Sequence, residues 1–349
     1  MPSRVSVVIT NHNYGQFVGD AIASALEQVG PTPEVIVVDD GSSDGSREAI
    51  ARFGDRVRAI FTENNGQGAA FNVGWAASHG DIVMFLDADD VLDRHTCAAV
   101  CRAFGDDPSL ARVQFPLRVI DSDGRPTGAV IPERERQLFA GDARARLLTC
   151  PDDIVWQPTS GNAFAARALA AVMPVPEAPY RICADYYLSN LTPLHGGVSV
   201  LAGVGGGYRV HGANLHFATT ETLQHLRDNV CRTRVTHQQL IAHCRRLGLK
   251  GLGDDPDEVR SVTAAANRLI SYRFDPAAHP ITDDNRRRLA VLGTRSALAR
   301  VDVDLPRRLA MASWFIVVAT VPRRWLRNVL RPFVAIDVAS VTHTRGTDR

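Results

Sequence analysis

The chain has 349 residues, of which 45% are apolar and 22% are charged, and its formal net charge is +1. This length fits one large domain with an appendage, and the near-neutral charge argues against a dedicated nucleic-acid-binding protein. The six cysteines form no CxxC pair, so we expect reduced thiols in a cytosolic protein. We expect no signal peptide, because the first apolar run lacks a basic n-region and a cleavage site.

The first ninety residues alternate strand-like apolar runs with helical periodicity. Predicted strands cover residues 5–10, 34–38, 57–62 and 82–86. Predicted helices cover residues 16–28, 66–79 and a segment that begins at a cap on Ser43 or Asp44 and runs to Phe53. This alternation indicates βαβ units on a parallel sheet, where ligands bind at the carboxyl ends of the strands. We therefore expect the polar loops after the first, second and fourth strands to face one crevice.

Three carboxylates, Asp87, Asp89 and Asp90, directly follow the fourth strand. Residues two apart on an extended backbone point the same way, so Asp87 and Asp89 can converge on one point. Like charges held that close repel each other unless a cation lies between them, and a hard divalent cation is the usual partner. The alternative is a solvated acidic turn that caps a helix beginning near Asp93. This stretch alone leaves both interpretations open.

The alternation ends after residue 108, and the second half of the chain is less regular. The predicted elements there are a hairpin of strands 112–121 and 127–131, a helix from about residue 183, strands at 198–202 and 207–210, and helices from about residue 219.

Seven motifs resemble, in order, those of the family 2 glycosyltransferases. They lie at residues 7–14, 37–44, 65–74, 80–90, 160–162, 184–185 and 208–211, and together they span about the first 215 residues. The resemblance implies an α/β protein of the GT-A fold, with a Rossmann-like, mostly parallel sheet, flanking helices and a C-terminal helical appendage. We accordingly place a catalytic domain at residues 1–218 and a helical region at residues 219–349.

The resemblance also implies an activity. Members are inverting, metal-dependent enzymes that move a sugar from a nucleotide-sugar donor, here expected to be UDP-linked, to an acceptor hydroxyl. A saccharide or lipid-linked acceptor in cell-envelope polysaccharide or glycoconjugate synthesis would fit. Such transfer needs stabilisation of the charge on the departing diphosphate, which Mn²⁺ or Mg²⁺ on carboxylate oxygens supplies.

The resemblance assigns a donor-binding role to the polar loops. The loop of residues 10–14 lines the nucleotide base, Asp39 hydrogen-bonds to the base, and Asp87 contacts the ribose side. The full expected donor-binding set is Thr10, Asn11, Asn13, Tyr14, Asp39, Asp40, Asn65, Asn72, Asp87, Ala88, Gly161 and Asn162. Many members have arginine where this chain has Phe71, and that departure leaves the donor sugar open.

Asp89, His211 and Asp185 are the residues that the resemblance implicates in chemistry. Asp89 would bind the metal, and His211 would complete its shell. Asp185 would be the catalytic base that takes the acceptor's proton. Each has a structural alternative, because Asp185 could be a helix N-cap and an isolated histidine is more often structural than a ligand.

Competing functions fit the sequence less well. A nucleotidyltransferase needs a Gly-rich basic loop after the first strand, which residues 11–15 do not provide. A dinucleotide-binding oxidoreductase needs a GxGxxG motif there, and a receiver-like domain needs a pocket lysine, whereas the one lysine is Lys250 in the helical region. A catalytically inactive sugar-nucleotide-binding homologue stays open.

The segment of residues 305–336 contains six arginines and no carboxylate. Its apolar run, residues 309–322, is too short to span a bilayer. One interpretation is a helix that packs on the catalytic domain. The other is an interfacial anchor that inserts Trp314 and Trp325 among anionic headgroups, which would place the protein peripherally on the inner face of the plasma membrane.

Overall fold

A computed structural model describes residues 4–133, 137–151, 154–212, 221–330 and 336–337. Its contacts divide the chain into two compact units. The first unit comprises Met1–Arg144 and Val155–Ala213, and the second comprises Ala145–Ile154 and Asn214–Arg349. The boundary expected at residue 218 lies outside the described residues. No sequence pattern indicates that residues 145–154 group with the helical unit.

Strands of the first unit form two sheets. In chain order they are β1 (Val5–Asn11), β2 (Glu34–Asp40), β3 (Arg58–Thr62), β4 (Ile82–Asp87), β5 (Val91–Leu92), β6 (Leu110–Gln114), β7 (Leu117–Ile120), β8 (Pro126–Ile131), β9 (Asn162–Ala165), β10 (Gly197–Val200) and β11 (Gly206–Arg209). The larger sheet has the order β10-β6-β9-β4-β1-β2-β3, and only β9 runs antiparallel to its neighbours. The mostly parallel α/β architecture is therefore confirmed.

The helices of the first unit are α1 (Val18–Leu26), α2 (Ser46–Ala51), α3 (Gln67–Ala77), α4 (Thr96–Asp106), α6 (Ala166–Val172) and α7 (Ala184–Leu191). The short helix α5 (Arg144–Leu147) lies almost entirely in the second unit. Residues 5–11 and 82–86 are all buried, so the mostly apolar β1 and the continuous apolar run of β4 reflect strands covered on both faces. The cap expected for α2 differs: its N-cap is Gly45, which makes no side-chain cap.

The strand expected at residues 112–121 is two strands in different sheets. Pro116, which has no backbone N–H to donate, lies between β6 and β7 and ends the ladder of the larger sheet. The smaller sheet has the order β5-β11-β7-β8 and contains the expected β7–β8 hairpin. It places β11 beside the loop that follows β4, because β11 pairs with β5.

The second unit is helical, as expected. Its elements are β12 (Glu221–Thr222), α8 (Leu223–Arg246), α9 (Val262–Phe274), α10 (Arg286–Ala299), α11 (Leu305–Thr320), α12 (Arg323–Leu330) and β13 (Ile336–Asp337). Side chains of the N-cap residues of α8, α9, α10 and α11 accept a hydrogen bond from the first turn, which satisfies donors that a helix start leaves open. Among the described helices, none is long and apolar enough to cross a membrane.

A buried ionic network joins α9 to the segment before α10. Arg268 donates to both carboxylate oxygens of Asp284, at 2.9 and 2.6 Å. His279 Nε2 lies 2.9 Å from the same carboxylate, and its Nδ1 lies 3.0 Å from Ser271 Oγ. All four side chains are buried, so we interpret the network as structural.

Candidate active site

Strand register brings the three predicted polar loops to one edge of the sheet. Asn11, at the end of β1, pairs with Asp39 of β2, and Thr10 pairs with Asp87 of β4. The backbone N–H of Ala88 donates to the Thr10 carbonyl oxygen at 3.2 Å. These polar residues therefore line a single crevice edge, as the parallel-sheet interpretation predicts.

Asp39 fixes the loop after β1 from beneath. It is fully buried, and its carboxylate accepts hydrogen bonds from Asn11 Nδ2 at 2.7 Å and from the Ser42 backbone N–H at 3.0 Å. Asn13 adopts a left-handed φ of 59° and accepts from the Ser43 backbone N–H at 2.8 Å. The loop is thus held in shape by the β2 loop before any ligand binds.

Asp40 plays a different part, because its carboxylate holds the start of α3. It accepts from the backbone N–H groups of Asn65 at 2.9 Å and Gly66 at 2.7 Å. Gly66 has a φ of +93°, and a Cβ there would lie 2.5 Å from Arg181 Cα, so only glycine fits. Asp40 therefore contributes to the site by holding the start of α3 in position.

The side-chain amides of Asn72 and Asn162 form hydrogen bonds to other groups of the protein. Asn72 bonds both the N–H and the carbonyl oxygen of Val175, at 2.8 and 2.9 Å. Asn162 donates to the Pro158 carbonyl oxygen at 2.7 Å and accepts from the buried guanidinium of Arg112. Both residues shape the loops that border the crevice.

The loop of residues 158–161 packs closely under the acidic strand end. Ser160 Oγ accepts a hydrogen bond from the Asp87 backbone N–H at 3.1 Å. A Cβ on Gly161 would lie 3.0 Å from the Phe115 carbonyl oxygen, so a larger residue would clash with the end of the neighbouring strand and displace this loop.

The carboxylates at the end of β4 are crowded: Asp89 and Asp90 are buried, and Asp87 is half-buried. The pKa of Asp87 is raised to about 8, mainly by burial and also by the neighbouring charges of Asp89 and Asp185. Burial also raises the pKa of Asp89, and it raises the pKa of Asp90 well above the usual range with help from both neighbours. One oxygen of Asp90, Oδ2, is buried without a hydrogen-bond partner. Such a cluster strongly favours added positive charge.

Asp89 and His211 form a two-residue donor set in this cluster. His211 Nε2 lies 3.1 Å from Asp89 Oδ2, and the two side chains are only 6% and 11% exposed. Carboxylate oxygen and imidazole nitrogen fit Mn²⁺ well, and an Mg²⁺ ion would keep more of its waters. Among the described residues, no group of three His, Cys, Asp or Glu side chains could hold a metal ion. A cation here would therefore need further ligands from water or donor phosphates.

Aromatic rings hold His211 in place. Its ring lies 5.5 Å from that of Tyr14, edge to face, and 4.7 Å from that of Phe17. Burial raises the pKa of Tyr14 to about 12, and the charges of the carboxylates after β4 act in the same direction. Tyr14 therefore remains a neutral hydroxyl beside the acidic cluster.

Arg209 ties β11 to the acidic loop. Its backbone N–H donates to Asp90 Oδ1 at 2.9 Å, and its Nε donates to the Asp89 carbonyl oxygen at 2.7 Å. Its guanidinium also reaches Asp20 at 3.0 Å and lies over the Phe17 ring at 4.8 Å. The sequence marked Arg209 only as part of a motif, and its role in placing His211 two residues later follows from the fold.

Asp185 lies in the first turn of α7 and is not its N-cap. The N-cap is Cys183, in a left-handed conformation with φ 60° and no side-chain cap. The charge of Asp185 contributes to the raised pKa of Asp87, and it opposes the burial that lowers the pKa of Arg112 to about 9. Its position at the start of α7 lets a carboxylate there interact favourably with the helix dipole.

Gln67 connects the acidic cluster to α7, and sequence reasoning missed it. Its Nε2 donates to Asp87 Oδ1 at 3.0 Å, while its Oε1 accepts from the Ala184 backbone N–H at 2.9 Å. Its own backbone N–H donates to the Arg181 carbonyl oxygen at 2.9 Å. The only available sequence signal was a long amide side chain at the start of a helix that faces the crevice.

Phe71 occupies the position where many family members have arginine. It is fully buried in α3 and stacks on Phe85 of β4, with ring centroids 4.1 Å apart. The side chain at this position therefore belongs to the core.

Comparisons with known proteins agree with this geometry. The family model described as Glycosyl transferase family 2 matches residues 6–156. An uncharacterized glycosyltransferase of Nostoc sp. (strain PCC 7120) is 32% identical over 250 residues, which cover 70% of this chain and 77% of that protein. Putative glycosyltransferase EpsH of Bacillus subtilis (strain 168) is 29% identical over 151 residues, or 40% of this chain and 44% of that protein.

Among solved structures, that of S. aureus TarS residues 1–349 in complex with UDP-GlcNAc is similar in fold. Its TM-score is 0.59 at 14% identity, with 95% of this chain and 91% of that chain covered. The fold similarity and the Nostoc relative agree with the family match over the strands that carry the crevice. This chain belongs to glycosyl transferase family 2 and is a glycosyltransferase of the GT-A fold.

Proposed function

We propose that this glycosyltransferase is metal-dependent and inverting, and that it moves a sugar from a UDP-linked donor to an acceptor hydroxyl. One observation carries the proposal. Gln67 links Asp87, in the acidic cluster, to the helix start that carries Asp185. A donor-side carboxylate and a base on the acceptor side are thereby held at a fixed separation, which single displacement requires.

Asp89 and His211 would hold Mn²⁺ or Mg²⁺ in this proposal. When bound, the cation would offset the negative charge that develops on the departing diphosphate. The raised pKa values of Asp87, Asp89 and Asp90 support this assignment, because three crowded carboxylates are costly to ionise together without positive charge.

Asp185 would act as the base. Its carboxylate accepts the proton of the acceptor hydroxyl while the hydroxyl oxygen attacks the anomeric carbon. The new glycosidic bond forms as the bond from that carbon to the diphosphate oxygen breaks. The nucleoside diphosphate leaves with the bonding electron pair, and one displacement from the opposite face inverts the anomeric centre.

The loop of residues 10–14 would bind the base of the nucleotide. Asp39 accepts two hydrogen bonds within the protein, and a carboxylate offers about four lone-pair sites. The imide N–H of a uracil ring would use a remaining lone pair, which requires the loop of residues 10–14 to shift because Asp39 is fully buried. The remaining expected donor-binding residues would act by shaping this pocket.

The acceptor would be a saccharide or a lipid-linked saccharide in cell-envelope polysaccharide or glycoconjugate synthesis. We place the enzyme in the cytosol, in peripheral contact with an anionic plasma membrane. The arginine-rich segment after residue 305 supports this location.

A nucleotide-release screen tests the proposal. Purified protein is incubated with UDP-, GDP- and dTDP-sugars, with Mn²⁺, Mg²⁺ or EDTA, and with or without lipid-linked acceptors. We expect release of UDP that EDTA abolishes, and a product of inverted anomeric configuration by NMR. Release of pyrophosphate would indicate a nucleotidyltransferase instead, and donor binding without turnover under every condition would indicate an inactive homologue.

A further inference from the structure

The C-terminal helices carry most of the exposed apolar surface. Of the eleven large apolar side chains that are exposed among the described residues, eight lie between residues 291 and 325. They are Val291, Leu298, Val301, Leu305, Leu309, Ile316, Val317 and Trp325. Scattered exposed apolar residues are ordinary, but a concentration of this kind marks an interaction surface.

Helix α11 has two apolar faces of different kinds. Its inner face contributes Phe315, Val318 and Ala319 to the core of the second unit. Its outer face consists of residues 305, 309, 313, 316 and 320, which follow helical spacing, are all exposed and are all uncharged. Leu305, Leu309 and Ile316 on this face are 61%, 51% and 53% exposed. A helix that only packed on its own unit would normally have charged residues there.

Helix α10 lies beside α11 and adds positive charge. The two helices touch closely, since a Cβ on Gly293 would lie 2.1 Å from the Phe315 ring. The exposed stripe of α10 alternates arginine with apolar residues: Arg287, Val291, Arg295 and Leu298. Both helices bury their inner sides in one core, and the exposed stripe of α10 adds positive charge to the unit that carries α11.

Helix α12 continues the same composition. Its Leu326 and Leu330 join the core, while Arg324, Trp325 and Arg327 are exposed. Between residues 286 and 330 there are ten arginines and two aspartates. Those two aspartates already pair with arginines, in Arg300–Asp302 and Arg307–Asp304. The span is therefore strongly positive.

We propose that the outer side of α11, together with the start of α12, binds the surface of an anionic phospholipid bilayer. Leu305, Leu309 and Ile316 enter the headgroup region while the flanking arginines contact lipid phosphates. The combination of an uncharged helix face with a large local excess of arginine is complementary to such a bilayer. This inference rests on the proposed function in one respect: a lipid-linked acceptor gives the contact its purpose.

The structure changes which residues are expected to insert. Trp314 packs against the core of the second unit, with its ring 5.0 Å from Phe315. Trp314 is therefore not available to enter the headgroup region. Trp325 is available, because its side chain is 52% exposed. Deleting the chain after Asp304 would also remove core residues of α11, so substitutions test the surface better than a truncation does.

Flotation of the full chain with vesicles tests the proposal. Vesicles of phosphatidylcholine, with and without phosphatidylglycerol, are mixed with wild type, with the double variant Leu309→Glu/Ile316→Glu and with Arg324→Ser/Arg327→Ser. We expect wild type to float with the anionic vesicles and to dissociate at high salt. The glutamate variant should not float, and each arginine removed should weaken partitioning about fivefold.

Matched controls separate this surface from general changes in charge. Leu247→Glu and Arg246→Ser alter an exposed leucine and an exposed arginine at the end of α8, and both variants should float like wild type. All variants should keep wild-type melting temperatures and wild-type release of nucleotide from soluble donor. That second readout distinguishes failure of the surface proposal from failure of the proposed function.

Three results would overturn the proposal. The first is absence of flotation for the wild type with anionic vesicles at low salt, and the second is flotation of the glutamate variant at the wild-type level. The third is an oligomer, seen by light scattering without lipid, that Leu309→Glu/Ile316→Glu converts to monomer while no variant floats. This third result would assign the surface to another copy of the chain.

Discussion

Gln67 donates a hydrogen bond to Asp87 at 3.0 Å and, through the other atom of the same amide, fixes the first residue of α7. Two elements that are far apart in the sequence, β4 and α7, are thereby connected by one side chain. A neutral amide suits this place because it can donate to a carboxylate and accept from a backbone N–H at once.

We predict that Gln67→Met lowers kcat about ten- to a hundredfold while donor affinity changes less, because a shifted catalytic group costs rate more than ground-state binding. Single-turnover kinetics and titration calorimetry with UDP measure the two effects. Gln28→Met is a matched control, since the Gln28 amide also donates and accepts at once: it donates to the Asp93 carbonyl oxygen at 2.8 Å and accepts from the Cys97 backbone N–H at 3.0 Å, outside the site. Equal loss of kcat in both variants would mean that Gln67 acts only on stability.

Asp185→Asn should reduce transfer by at least about a hundredfold, the usual scale for a positioned base, because the amide cannot take the acceptor's proton. Donor affinity should stay near the wild-type value, and calorimetry with UDP measures it. If the variant instead loses donor binding at full folding, Asp185 belongs to the donor pocket.

Asp89→Asn should abolish metal-dependent turnover and leave the melting temperature near that of wild type. The reason is that an amide is a much weaker ligand than a carboxylate for a hard divalent cation. Titration of activity with Mn²⁺ checks this, with the exposed Asp55→Asn as a control expected to behave as wild type. Wild-type turnover by Asp89→Asn, or a wild-type enzyme indifferent to EDTA, would contradict the metal assignment.

Gly66→Ala should reduce both stability and turnover. The alanine Cβ would clash with backbone atoms of Arg181, and the alanine backbone would have to keep a left-handed φ. The start of α3 and the segment before α7 must therefore separate. Gly54→Ala provides the control, because Gly54 has a φ of +53° but open space around its Cβ. Thermal unfolding and kcat should show a larger loss for Gly66→Ala than the roughly 1 kcal/mol that strain alone produces in the control.

Stability of the second unit should depend on pH through Asp284. Burial acts to raise its pKa, but hydrogen bonds from His279 and Arg268 and the charge of Arg268 outweigh burial and lower the pKa. A lowered folded pKa means that the stabilisation is complete above the unfolded value, about 4, and is lost as the pH falls toward the folded value.

Asp284→Asn should remove that dependence and destabilise the unit by about 3–5 kcal/mol, because Arg268 stays buried without its partner. Hydrogen exchange of α9 amides between pH 3 and pH 7, analysed with intrinsic rates, measures both effects. Asp254→Asn, at an exposed pair with Arg245, should change little. An unchanged pH profile in Asp284→Asn would show that another group controls acid stability.

The spacing of apolar residues was enough to predict β1 to β4, α3 and the helical second unit. A helix with one buried face and a strand with both faces buried each have a characteristic apolar pattern in the sequence. This spacing failed at residues 112–121, where apolar residues continue through a change of sheet and Pro116 was the only local sign of the break. It also could not find Gln67, since an amide that bridges β4 to α7 is indistinguishable in sequence from one on a solvated helix.

The expected donor-binding set shows that a sequence motif does not say what each of its residues contacts. Asn72 and Asn162 belong to the family motifs, yet their amides are used for loop geometry. A motif marks positions that matter to a site, and only three-dimensional contacts separate residues that touch a ligand from residues that shape its pocket.

The stack of Phe71 on Phe85 has a consequence for attempts to change the donor sugar. Grafting the arginine found in many relatives onto position 71 would introduce a charged guanidinium into the buried contact between α3 and β4 that the Phe71 ring now fills. The substitution would disturb β4, which carries Asp87, and would not create a contact to the donor sugar. Libraries aimed at new donors should therefore vary the crevice loops and leave position 71 aromatic.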